Sequence, residues 1–189
     1  MFDIPLQIAA VLRDFKPSWF VAGGWAIDLF LEKETRFHQD IEIAIFRKDQ
    51  AVLHDYFDGW LLRKVVNGEL VVWHRDEWLM LPVHELHCYN EIAQPPQIEV
   101  LLNESNKTEW LYRRNENVRR SLVKIQLESS ASVKFLCPEI VLLYKSKNPR
   151  AKDEQDFQAV IEHLDAERKE WLKDAIKVSN PEHCWLRSL

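Results

Sequence analysis

Asp40 and Glu42 stand two positions apart in the run Asp40-Ile41-Glu42-Ile43-Ala44-Ile45-Phe46. Its alternation predicts a strand over 40–46, with Ile41, Ile43 and Ile45 on one face and Asp40, Glu42 and Ala44 on the other. Two carboxylates roughly 6–7 Å apart on one face can grip Mg²⁺, which takes oxygen ligands and leaves positions open for phosphate. Glu99, in the apolar strand predicted over 97–102, is a third acid available to that face. Three such acids suit a two-metal site, where one ion activates an attacking hydroxyl and the other stabilises a leaving pyrophosphate. Gly23-Gly24 lies upstream, where a short buried strand, 19–22, runs into a helix over 24–31. Backbone N–H groups there, uncrowded by side chains, can receive phosphate at a helix N-terminus. Taken singly, a glycine pair is a tight turn and an acid pair is a solvated face. Their conjunction suggests chemistry on a nucleotide.

The elements that must position these residues follow from periodicity. Helical spacing covers 4–15, and a helix is expected over 48–57. Asn67-Gly68 between apolar runs at 60–66 and 69–74 is the strongest short hairpin signal in the chain. The stretch 75–90 carries no clear period, and 108–130 is mixed, with Arg113-Arg114 and Arg119-Arg120 among aromatic and aliphatic residues. Pro138-Glu139 opens a helix to about 147, since proline suits the first turn and the acid suits the dipole. Further helices are expected over 152–164 and 166–178. The class is α+β, a mixed sheet flanked by helices. We divide it into a domain over 1–105 and a mainly helical part over 106–189.

The composition is compatible with such a fold. The 189 residues are 47% hydrophobic, with eight Trp and nine Phe, enough for a sizeable core. A net charge of −5 argues against non-specific nucleic-acid binding, which depends on clustered Lys and Arg. A local basic pocket remains compatible with it. Cys88, Cys137 and Cys184 are widely spaced and odd in number, as suits a reducing compartment. The N-terminus lacks the regions of a signal peptide, and no apolar run approaches the ~20 residues of a membrane span. The expectation is a soluble cytoplasmic protein, monomer or homodimer, with no membrane partner.

Ala22-Gly23-Gly24-Trp25-Ala26-Ile27-Asp28, followed by Thr35-Arg36-Phe37-His38-Gln39-Asp40-Ile41-Glu42-Ile43, closely resembles the aminoglycoside 2''-adenylyltransferase and lincosamide nucleotidyltransferase group of the polymerase-beta-like superfamily. A second block, from Pro138 to Lys145 and from Lys152 to Phe157, resembles the C-terminal helical part of such proteins. The resemblance implies a nucleotidyltransferase fold, with 1–105 as its catalytic domain. It implies Mg²⁺-dependent transfer of NMP, AMP above all, from an NTP to a hydroxyl of a small molecule such as an aminoglycoside- or lincosamide-like antibiotic, releasing pyrophosphate. By the same resemblance Gly23 and Gly24 would contact the triphosphate, and Asp40 and Glu42 would bind metal. Glu99 would be third ligand and base for the acceptor hydroxyl, an assignment that rests on strand position. The chain departs from the group at Glu42, where the resistance enzymes commonly carry Asp. That departure motivates the alternative of a catalytically weak, nucleotide-binding or antitoxin-like regulatory relative.

Other residues admit two readings. Arg36 and His38 either steady phosphate or acceptor, or anchor the loop before the strand. Lys145 either reaches a phosphate as a point charge or lies on a solvated helix face. Asp28 reads as a brace for the turn, and Lys152 and Asp153 as a brace between the two parts. The arginine pairs read as surface or inter-segment ion pairs. Trp73, Trp78 and Trp110 are core or cleft wall. His84-Glu85-Leu86-His87-Cys88 has H-E-x-H spacing, not the H-E-x-x-H of a zinc helix, and reads better as a histidine at the substrate cleft.

Overall fold

The structure, a computed structural model, describes residues 2–189. Its first elements are α1 (Asp3–Val11), β1 (Trp19–Val21), α2 (Gly23–Leu31), β2 (Glu42–Phe46), a 3-10 turn (Arg47–Asp49) and α3 (Val52–Tyr56). β3 (Leu61–Val66), β4 (Glu69–Val72), β5 (Glu85–Tyr89), β6 (Gln97–Ser105), β7 (Glu109–Leu111) and β8 (Arg119–Ser121) follow. After a 3-10 turn (Leu122–Lys124) come β9 (Gln126–Glu128), β10 (Lys134–Leu136), α4 (Pro138–Lys145), α5 (Ala151–Ile161), α6 (Ala166–Ser179) and a last 3-10 turn (Cys184–Arg187).

The α+β class is as read from the sequence. The strands form one mixed sheet in the order β4-β3-β5-β6-β2-β1-β10-β9, with β7 and β8 continuing from the end of β6. β2 pairs parallel to β6 and β1 parallel to β10; the remaining pairs are antiparallel. The sheet therefore draws strands from beyond residue 105. Alternation sends Ile43, Ile45, Leu86, Cys88, Ile98, Val100 and Leu102 into the core, where all are buried. Each buried large aliphatic side chain among them contributes about 1.5–3 kcal/mol. α2 packs on β2 and β10, and α4 packs on α2, α5 and α6, so the C-terminal helices sit against the helix that the glycine pair opens.

Several boundaries differ from expectation. β2 begins at Glu42, so Asp40 lies just before the strand, although Glu99 N–H still donates to Ile41 O at 3.0 Å. The expected helix over 48–57 is a 3-10 turn followed by the five-residue α3. The unread stretch 75–90 contains β5, and β6 runs on to Ser105. The loop before β5 is held by buried side chains. Arg47 Nη1 donates to Leu79 O at 3.2 Å and Val83 O at 2.7 Å, while Gln50 exchanges two bonds with the Leu79 backbone. No helix among the described residues is long and apolar enough to cross a membrane.

Candidate active site

The acids converge through sheet register. Glu42 on β2 is the direct partner of Glu99 on β6, and Glu99 is in turn the partner of His87 on β5. Glu42, Glu99 and His87 thus stand in a row across three adjacent strands, on the face that looks away from the isoleucine core. Asp40 adjoins them from the loop, and all three acids line one cleft of about 410 Å³. Gly23 and Gly24, Arg36, His38 and Lys145 line the same cleft.

The glycine pair meets the acids directly. Gly23 has φ +58°, a left-handed conformation that side chains resist, and a Cβ there would coincide with the Glu42 carboxylate. A Cβ on Gly24 would collide with the Arg36 guanidinium and the His38 ring. The Gly23→Ala variant should therefore lose about 1–2 kcal/mol from backbone strain alone, a fall of about 2–8 °C in Tm, and should displace Glu42 as well. Thermal unfolding tests this. A variant melting with the wild type would show that Glu42 does not occupy that space.

The loop carrying Asp40 is fixed by buried polar groups. Asp28, fully buried, accepts from Thr35 N–H at 3.1 Å and Thr35 Oγ1 at 2.5 Å, and pairs with His38 Nε2 at 2.6 Å. The His38 ring packs on Trp25, centroids 4.5 Å apart, and Trp25 Nε1 donates to Asp40 O at 3.1 Å. Arg36 forms a two-pronged pair with Asp156 on α5, at 2.7 and 2.9 Å. Lys145 Nζ lies 2.8 Å from Asp153 and 2.9 Å from Asp156. Asp28, Arg36 and His38 thus anchor the loop, while Lys145 ties α4 to α5 at the cleft wall. Asp153 does not brace the two parts as read: its partners, Lys145 and Arg150, both lie in the C-terminal part, and Asp156 makes the cross-link through Arg36. Lys152 forms no ion pair among the described residues and lines the cleft.

Burial, then the charges of Asp40, Glu42 and Glu85, pushes the Glu99 carboxyl up from 4.5 to about 8. Burial also raises Glu42, with Lys145 opposing and Asp40 adding to the rise. Such carboxylates, crowded out of water and short of positive charge, fit a divalent cation. Glu85, His87 and Glu99 place further ligand atoms within 4.8 Å of one another. His87 Nε2 lies 3.0 Å from Glu85, and Nδ1 lies 3.1 Å from Gln97 Nε2 and 3.7 Å from Glu99.

The sign of the pH effect follows. A carboxyl raised in the folded state keeps its proton longer than in the unfolded chain, so its contribution to stability falls as pH rises from about 4.5 to about 8. Mg²⁺ should therefore raise Tm more at pH 8 than at pH 5.5, and its binding should release protons, measurable by calorimetry in buffers of different ionisation enthalpy. Glu99→Gln should flatten both effects. Equal Mg²⁺ shifts at the two pH values would contradict the assignment.

Other residues fall outside the initial reading. Glu85, His87, Arg113, Arg114, Lys147 and Arg150 were missed as neighbours of the acids. For Glu85 and His87 the signal existed: on a strand, unlike a helix, E-x-H puts both side chains on one face. Arg120 pairs with Glu139, and Arg119 approaches Glu109, as inter-segment pairs. Arg113 and Arg114 do not: among the described residues neither has a carboxylate partner, and both guanidiniums lie over the Tyr144 ring at 5.4 Å. Trp73 and Trp110 are core, and Trp78 is 52% exposed. His84 borders the cleft, and Cys88 is buried in the core.

A mixed sheet with a Gly-Gly helix start, a D-x-E pair and a third acid in register defines a nucleotidyltransferase fold. Residues 5–88 match the family described as aminoglycoside-2''-adenylyltransferase, which bears out the resemblance carried by the first block, from Ala22 to Asp28 and Thr35 to Ile43. The chain is similar in structure to the antibiotic-resistance factor ANT(2'')-Ia in solution (TM-score 0.62, 14% identity, covering 94% of this chain and 91% of that one). It is also similar to the crystal structure of ANT(2'')-Ia with adenylyl-2''-tobramycin (0.60, 15%, 92% and 95%). The lincomycin-bound lincosamide antibiotic adenylyltransferase LnuA is a further match (0.58, 17%, 85% and 96%). No curated protein matches the chain.

Proposed function

We propose that the chain is a nucleotidyltransferase that moves NMP, with AMP favoured by the likeness to adenylyltransferases, from an NTP to a hydroxyl of a small molecule. The observation that carries this reading is the register pair Glu42–Glu99 set against Gly23, with Asp40 beside it. Asp40, Glu42 and Glu99 would hold Mg²⁺, two ions in the fullest form. When bound, the metal lowers the charge on the phosphates and on the attacking oxygen. The chain's own groups do the rest. The N–H groups at the start of α2 receive the triphosphate, and Lys145, Arg36 and His38 border it. Glu99 takes the acceptor hydroxyl's proton as its oxygen bonds to the α-phosphorus and the bond to the pyrophosphate oxygen breaks.

The test is pyrophosphate release with each NTP, Mg²⁺ and a panel of hydroxyl acceptors that includes aminoglycosides and lincosamides. Full turnover by Asp40→Asn would sink the mechanism. The longer Glu at position 42 favours a second reading, a nucleotide-binding regulatory relative. Mg·NTP binding without turnover across the panel supports that one, and no binding at millimolar NTP removes both.

A further inference from the structure

The charges of the cleft fall into two sets. Of its acids, Asp40, Glu42 and Glu99 form the proposed metal set, Asp153 is held by Lys145 and Arg150, and Glu85 pairs with His87. No carboxylate is left over to receive a cationic acceptor. The positive groups are less committed. Arg113, Arg114, Lys147 and Lys152 line the cleft with no ion pair among the described residues.

Arg113 and Arg114 form the most built part of this positive set. They follow β7, whose Leu111 is the antiparallel partner of Glu104 on β6. The pair lines the same cleft as the metal acids, from the turn that follows β7. Arg114 is pinned by donating to Tyr144 O at 2.8 Å and Tyr112 Oη at 3.2 Å. Arg113 is half-buried against the Tyr144 ring, and its guanidinium makes no hydrogen bond among the described residues. Two adjacent like charges, one of them half-buried with its donors unused, are costly unless an anion completes them.

We propose that Arg113 and Arg114 form an oxyanion-binding subsite, and that the hydroxyl acceptor carries a phosphate or carboxylate there rather than ammonium groups. This rests on the nucleotidyltransferase reading for the acceptor's role, while the subsite itself rests on the geometry alone. Its discrimination is that of a guanidinium fork for a planar or tetrahedral oxyanion.

Side-chain NMR of the arginine Nε–H groups, with inorganic phosphate as probe, tests the subsite. It is run with and without Mg²⁺ and a non-hydrolysable NTP at saturation. The Arg113 and Arg114 Nε–H groups should shift with phosphate in both states, and Arg113→Gln should abolish the response of the remaining Arg114 signal while leaving nucleotide affinity within about twofold. Arg113→Lys, which keeps the charge without the fork, should weaken phosphate binding about tenfold and controls for misfolding. Turnover should favour phosphorylated or carboxylated hydroxyl compounds over their neutral parents by at least about tenfold, and over aminoglycosides by more. An Arg113 signal blind to phosphate overturns the subsite. A signal saturated by the nucleotide alone assigns the subsite to the NTP's own phosphates and overturns the acceptor assignment, as does preferential turnover of aminoglycosides. Failure of NTP to bind, with the phosphate shift intact, overturns the acceptor's role and the transferase reading but leaves the anion site standing.

Discussion

Glu99→Gln is expected to lower kcat for NMP transfer by about 10²–10⁴-fold, the usual worth of a positioned base, while raising Tm at pH 8. Glu42→Gln should behave alike. Each amide keeps the shape of the carboxylate, so the row across β2, β6 and β5 survives. Each removes a negative charge that burial and neighbouring acids already penalise, since both carboxyls are pushed upward. A site assembled for binding at the expense of stability gains stability when its charges are removed. Steady-state pyrophosphate release and thermal unfolding, measured on the same preparations, read both effects. If activity and Tm fall together, Glu42 and Glu99 are acids of the scaffold and the site lies elsewhere.

Asp156→Ala should cost about 3–5 kcal/mol, the most damaging single change we expect outside the apolar core. Asp156 is 1% exposed and receives Arg36 and Lys145 together. Its removal leaves two cations partly buried with one partner fewer. Burial alone would push Asp156 upward, but the Arg36 and Lys145 contacts outweigh it and hold the carboxyl below its usual range. Asp153 is likewise held well below, with hydrogen bonds from Arg150 and Lys145 overcoming burial. The stability from these two acids is therefore present above a pH near 3.8 and is lost as the pH falls through their lower folded-state values. Urea unfolding at pH 7 and pH 3 checks both statements; a loss under about 1 kcal/mol at pH 7 would show that the cluster is dispensable. Because Arg36 belongs to the loop before Asp40 and Lys145 to the cleft wall, the variant should also weaken nucleotide binding.

The motifs made much of this site legible. Gly23, Gly24, Asp40 and Glu42 stood out because each depends on local chemistry: a left-handed turn, a helix start, a strand alternation. Glu99 was found by the same alternation, and its partnership with Glu42 emerged as an exact register match. Asp28 was read as a brace and is one. The ends of elements were less legible, as at Asp40, since strand pairing stops where hydrogen bonding stops and no residue announces it.

What the sequence by itself determined is the set of groups and their local geometry: three acids, a glycine turn, an α+β chain with helices at its C-terminus. What only the tertiary structure decided is which groups are committed to one another. Arg36 and Asp156 lie 120 residues apart in the chain, yet they form one ion pair. The loop before β5 is held in place by Arg47 and Gln50 through backbone carbonyls and an amide, a signal without periodicity. Register then set His87 beside Glu99. The physical reason is the same in each case. Local structure follows from backbone sterics and side-chain period, which neighbouring residues fix; the pairing of charges depends on burial and distance, which exist only once the chain has folded.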